Sequence, residues 1–148
     1  MTKMIAKRQV MKKTMPLYAR VHEAAHAVVA EAVAPGSVQD VFCMPIISEC
    51  WMVPLPPEER AVARFAGPVA QWRVTHRSRE STWVNGGLKD LLQAEELVDE
   101  DLDLLDKVKR DARMLVRVHW HAIRKVADAL ATPCHLSGDA VREIMHGG

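Results

Sequence analysis

From Leu17 to Val33 the apolar residues do not keep to one face. Val21, Ala24, Ala25, Val28, Val29, Ala32 and Val33 surround the axis, the pattern of a helix buried on nearly all sides. This helix is predicted over 16–34 and stops at Pro35-Gly36, because Pro cannot continue it and Gly tolerates the turn. Two short segments follow, 37–45 and 46–54. Each is partly β-branched or aromatic and ends at a Pro, which predicts a two-stranded hairpin. Pro56-Pro57-Glu58-Glu59 opens a second helix: Pro suits the first turn, and carboxylates suit the positive helix end. That helix turns Ala61, Val62, Phe65, Ala66, Val69 and Ala70 inward, and Pro68 within it predicts a kink. The polar stretch 75–85 reads as an exposed loop closed by Asn85-Gly86-Gly87. A third helix follows over 88–98. The apolar spacing then predicts one long helix over 102–130, ended by Thr132-Pro133. Ser137 is placed to cap a last helix running to Met145. The expected fold is mainly α with a small β-hairpin. It forms a single domain over 16–148, behind a basic, Met-rich tail or short helix over 1–15. A chain of 148 residues is long enough to bury roughly two-thirds of its unfolded surface.

The first helix carries the chemistry. His22-Glu23-Ala24-Ala25-His26 is an H-E-x-x-H pattern. Histidines four apart share a helical face, with Cβ atoms about 5–6 Å apart, and two imidazoles at that spacing can converge on one Zn²⁺. Glu23 is rotated off that face yet stays within reach of a metal-bound water, where it can serve as general base. The alternative is a helix carrying two surface histidines beside a glutamate. The apolar surroundings oppose it, since a buried charge without a partner is costly.

A catalytic zinc takes a third protein ligand and keeps one position open. Ala32 stands six residues beyond His26, where a third histidine of a short consensus would be. Asp90, just after Gly86-Gly87 and in the first turn of a helix, is the leading carboxylate; Glu95 and Glu96 are alternatives. A carboxylate at Asp90 would also complement the helix end without any metal.

Charge and cysteine content narrow the partners. Twenty basic and nineteen acidic residues leave a net charge of +1, which gives no bulk attraction to nucleic acid or to an acidic membrane. Arg73, His76, Arg77 and Arg79 together with the basic start are too little to change that. No apolar core follows the basic start, so it does not read as a signal peptide, and no run of 18 apolar residues predicts a membrane span. Cys43, Cys50 and Cys134 lack metal-site spacing and are expected as reduced thiols of a cytoplasmic protein. Cys43 and Cys50 are placed to face each other across the hairpin. His119-Trp120-His121 sets its histidines on different helical faces and is not read as a metal site. Trp51 and Trp83 are candidates for lining a cleft.

Several segments, in order, resemble the peptidase domain of FtsH-type AAA proteases. His22-Glu23-Ala24-Ala25-His26-Ala27-Val28-Val29 is similar to that family's H-E-A-G-H-A-V-V. The segment with Gly36, Val38, Val41 and Pro45 resembles its hairpin, and Ala66-Gly67-Pro68-Val69-Ala70-Gln71 its A-G-R-x-A-E. Gly86-Gly87-Leu88-Lys89-Asp90-Leu91-Leu92-Gln93-Ala94 resembles its G-A-x-x-D-x-x-x-A, and Leu136 to Ile144 its closing L-x-G-x-E-V-x-x-I. The likeness covers about 18–145. It implies a zincin-like helical fold, Zn²⁺ as cofactor, and His22, His26 and Asp90 as ligands. Three departures stand out. Gln71 replaces a carboxylate near the metal, where it would orient a ligand histidine with no added charge. Pro68 replaces Arg. The chain contains no P-loop.

The resemblance therefore implies a zinc metalloendopeptidase acting on peptides or unfolded proteins, with Glu23 as base and the hairpin edge receiving an extended substrate. A separate ATPase or adaptor partner would supply unfolding, and homo-oligomers are compatible with it. The alternative is a zinc-binding adaptor or regulator of the same fold with little activity.

Overall fold

The computed structural model describes residues 14–75, 88–99 and 101–147. Six helices and three strands are assigned among them: α1 (Leu17–Val33), β1 (Val38–Cys43), β2 (Ser48–Met52), α2 (Pro57–Thr75), α3 (Leu88–Leu97), α4 (Leu102–Val118), α5 (Trp120–Ala129), β3 (His135–Ser137) and α6 (Gly138–Met145). The fold is mainly helical with a small antiparallel sheet in the order β2-β1-β3. No helix among the described residues is long and apolar enough to cross a membrane. Residues 1–13 of the expected tail over 1–15, the expected loop over 75–85 beyond Thr75, the turn at Asn85-Gly86-Gly87, and Trp83 lie outside the described residues.

Helix α1 is the axis of the molecule. Every residue from Val21 to Glu31 is buried, and α2, α4, α5, α6 and the strands β1 and β2 pack around it. Ala24, Ala25, Ala27 and Ala30 are small enough for its neighbours to approach closely. Gly36 turns the chain out of α1 at φ +86°, in the left-handed region open to Gly. Glu31 then fixes the turn. Its carboxylate accepts from Gly36 N at 2.9 Å, Val38 N at 2.7 Å and Arg142 Nη1 at 3.1 Å. One buried anion thus joins the end of α1 to β1 and α6, with the charge-assisted bonds a buried carboxylate needs.

The predicted hairpin forms, but its cysteines do not face each other. Cys43 pairs with Ser48 and Cys50 with Val41, and all three cysteines are free. Burial pushes the Cys43 thiol up to about 11 and holds Cys50 higher still. Strand β3 was not anticipated. It lies on the other side of β1, with Val41 opposite Leu136 and Phe42 opposite His135. Three residues are too few to display a period of two.

The expected long helix over 102–130 is two helices. The chain turns at His119 (φ −100°, ψ 16°), which ends α4 and starts α5. Neither Gly nor Pro marks the break. Leu105, Val108, Ala112 and Val116 lead into Ile123, Val126 and Ala127 in nearly unbroken helical spacing, so the apolar pattern conceals it. Helix α2 is assigned through Pro68, whose ring is fully buried. Ser137 caps α6, accepting from Ala140 N at 3.1 Å.

Candidate metal centre

Three helices meet at one end of the sheet. Helix α1 supplies His22, Glu23 and His26. Helix α2 runs alongside with Ala63, Arg64, Gly67 and Gln71 facing α1 or the cleft beside it, spaced by three and four residues. Helix α3 docks on α2 and brings Asp90 in its first turn. The two imidazoles and two carboxylates facing one another here are buried, with Asp90 and Glu23 each 7% exposed.

Each histidine ring is held by its Nδ1. That of His26 lies 2.8 Å from the Ala63 carbonyl oxygen, which can only accept. That of His22 lies 2.8 Å from Gln71 Oε1. Both Nδ1 atoms therefore carry the proton and donate, and in the neutral rings both Nε2 atoms are left with a lone pair. The two rings meet edge to face, 4.8 Å between centroids. Their Nε2 atoms converge on a single oxygen: Asp90 Oδ2 is 2.8 Å from that of His22 and 3.3 Å from that of His26. Three electron-rich atoms at this range repel one another unless a cation lies among them. In the metal-free protein only protons can play that part. His26 shows it: burial opposes its charge, yet the Asp90 carboxylate outweighs burial and raises its pKa. Burial likewise opposes the charge on Asp90, and the two histidines overcome it to hold the carboxyl far below its ordinary range.

Donors around a tetrahedral zinc, bonded at 2.0–2.2 Å, stand about 3.3 Å apart. The observed 2.8 and 3.3 Å are close to that edge. A histidine ligand that donates its other ring nitrogen to an amide or carbonyl oxygen is the usual supporting arrangement. The donor set therefore fits Zn²⁺, and the contacts with Asp90 are the convergence such a site needs. The ligand atoms of Glu23 lie within 4.8 Å of those of both histidines. Glu23 Oε2 is buried with no hydrogen-bond partner among the described residues, and burial raises this carboxyl's pKa against the pull of His26 and His22.

Gly67, one residue of the segment from Ala66 to Gln71, faces both histidines. A Cβ on it would lie 2.5 Å from His26 Nε2 and 2.9 Å from His22 Nε2. The missing side chain leaves room at the two nitrogens that converge. The only signal in the sequence is a Gly four residues before Gln71 on the same helical stripe, a costly residue inside a helix. The Ala63 carbonyl was missed because a backbone acceptor has no residue signature.

The site opens into a cleft of about 400 Å³, lined by Tyr18 and His22 of α1, Ser48 to Trp51 of β2, Arg64 and Gln71 of α2, and Lys89 and Gln93 of α3. Trp51 is 48% exposed on the cleft wall and packs on Phe42 at 4.9 Å between ring centroids. Glu95 and Glu96, the alternative ligands, do not line it. His119 and His121 take no part.

The site predicts how acidity and zinc act together. In metal-free protein the folded-state pKa of Glu23 and of His26 is raised above the ordinary values of 4.5 and 6.5. Their contributions to stability are full below those values and are lost as pH rises through the raised ones. Asp90 has the opposite sign: its contribution is present above 3.8 and lost as pH falls. Metal-free protein should therefore lose stability as pH rises from about 5. Zinc bound by these donors would compete with the protons and favour the ionised carboxylates. The rise in melting temperature on adding zinc should be larger at about pH 8 than at about pH 6. Equal shifts at the two pH values would contradict the assigned donors.

No family model matches this chain, and no curated protein matches it.

Proposed function

We propose that this chain is a zinc-dependent endopeptidase of the H-E-x-x-H type, with a zincin-like fold resembling the FtsH-type peptidase domain. The observation that carries this reading is the convergence of His22 Nε2, His26 Nε2 and Asp90 Oδ2 beside a buried carboxylate with an unpartnered oxygen. A purely structural zinc site takes four protein ligands and has no use for a base. Here three donors converge, and the second carboxylate of the cluster, Glu23, adjoins the histidines without sharing in that convergence.

His22, His26 and Asp90 would hold Zn²⁺, which when bound would supply a Lewis acid and lower the pKa of its water toward about 7. Glu23 Oε2 takes a proton from the attacking water and delivers it to the leaving amide nitrogen as the C–N bond breaks. Burial raises its pKa above the ordinary carboxylate value, which strengthens it as a proton acceptor. Gln71 and the Ala63 carbonyl keep the rings in place through the Nδ1 atoms. An extended substrate lies along β2, which among the described residues pairs only with β1 and lines the cleft with Ser48 to Trp51. Such an edge accepts main-chain hydrogen bonds from unfolded or flexible segments and not from folded surfaces.

Denatured casein and a mixed peptide library should be cleaved by zinc-loaded protein, lose cleavage on treatment with 1,10-phenanthroline, and regain it on adding zinc. Cleavage that survives complete metal removal would contradict a metal-dependent mechanism. Full zinc with no turnover on either substrate would favour the zinc-binding adaptor instead.

A further inference from the structure

Resting on the peptidase reading above, we infer that the cleft selects substrates bearing a carboxylate close to the scissile bond, and that Arg64 holds it. Arg64 lies on α2 three residues before Gly67 and seven before Gln71, which places it on the face that meets the histidines. It is half-buried and lines the cleft. No hydrogen bond or ion pair engages its guanidinium among the described residues.

The carboxylates that share the cleft do not satisfy this cation. Asp90 faces both histidines. Glu49 accepts from Trp51 Nε1 at 2.8 Å. Glu23 feels the charge of Arg64, but its buried Oε2 has no hydrogen-bond partner, so the guanidinium stops short of it. Lys89, exposed on the same cleft, adds a second cation with no carboxylate partner among the described residues. A half-buried guanidinium has shed part of its water, and its planar fork matches a carboxylate in two parallel bonds. A substrate carboxylate completes that pairing. An amide of the same shape leaves the cation unpaired, which is the circumstance in which a site discriminates strongly.

The carboxylate has two possible sources, an acidic side chain or a chain terminus, and a peptide set separates them. One amidated peptide carries an internal Glu, its counterparts carry Gln or Lys at that position, and a further Gln peptide ends in a free carboxylate. Cleavage is followed with zinc-loaded protein, and binding by Trp fluorescence with the zinc-loaded Glu23→Gln variant. The Glu peptide should be bound and cleaved about tenfold better than its Gln counterpart, and the Lys peptide worst. Preference confined to the free-carboxylate peptide assigns the group to a chain end. Arg64→Gln should bring the acid-to-amide ratio close to one, and Arg64→Lys should keep part of it. The ratio is taken between substrates on one protein sample, so partial unfolding leaves it unmoved. Equal handling of Glu and Gln peptides by the wild type, or a preference that survives Arg64→Gln, overturns the assignment. Failure to bind or cleave any peptide, whatever its charge, overturns the peptidase reading and this inference with it.

Discussion

Glu23→Gln is expected to leave zinc bound and the fold intact while lowering peptide hydrolysis about a thousandfold. The substitution keeps the volume and shape of the side chain and removes only its ability to take a proton. It also relieves a cost. Burial disfavours the charged form of Glu23, and its Oε2 has no partner. A neutral amide at that position should therefore leave the metal-free protein as stable as the wild type or slightly more so near neutral pH. Initial rates on a quenched peptide, read beside zinc content and melting temperature, separate the two roles. Undiminished cleavage would remove Glu23 from the mechanism. Loss of zinc together with activity would show that it is a ligand and not a base.

Gly67→Ala should act on the same site by a different route. The added methyl would lie 2.5 and 2.6 Å from atoms of the His26 ring and 2.9 Å from His22 Nε2. The rings cannot swing away cheaply, because each is tethered through Nδ1, to Ala63 and to Gln71. The helix backbone carrying Gly67 is packed on α1 and has little room to retreat. Overpacking of this kind costs about 1–3 kcal/mol of stability. The displaced rings should cost zinc affinity about a hundredfold, the upper end of the range for disturbing the groups that orient ligands. Zinc affinity by chelator competition and thermal unfolding check both parts. A variant that binds zinc as the wild type does would mean that the space beside the two Nε2 atoms is not where a cation sits.

The parts of this site that were legible in the sequence are those that one helix carries. His22, Glu23 and His26 share a helix of one hydrogen-bonding pattern, so their spacing alone states their geometry. Asp90 lies 64 residues beyond His26 in a different helix. Residue chemistry left it beside Glu95 and Glu96 because the docking of α3 on α2, not local sequence, decides which carboxylate points inward. Gln71 was legible through a resemblance, as a substituted carboxylate. Gly67 and the Ala63 carbonyl were not, since one acts by lacking atoms and the other through the backbone. Arg64 carries no signal of its own in the sequence; the cleft it lines shows that it faces the site. In the fold, long elements with strong spacing were found and interruptions were not. The turn at His119 and the strand at His135 carry no Gly, no Pro and no change of period, and tertiary contacts set both.

The most direct test is the zinc content of wild-type protein and of Asp90→Ala, purified side by side, exchanged through the same zinc-free buffer and measured by mass spectrometry. Circular dichroism on each sample confirms that both are folded. The geometry predicts about one zinc per wild-type chain and a large loss from the variant, because two histidines alone cannot hold the ion against dilution. A folded Asp90→Ala protein that keeps its full zinc, or a wild type that binds none when zinc is supplied, would contradict the three-donor site on which the proposed function rests.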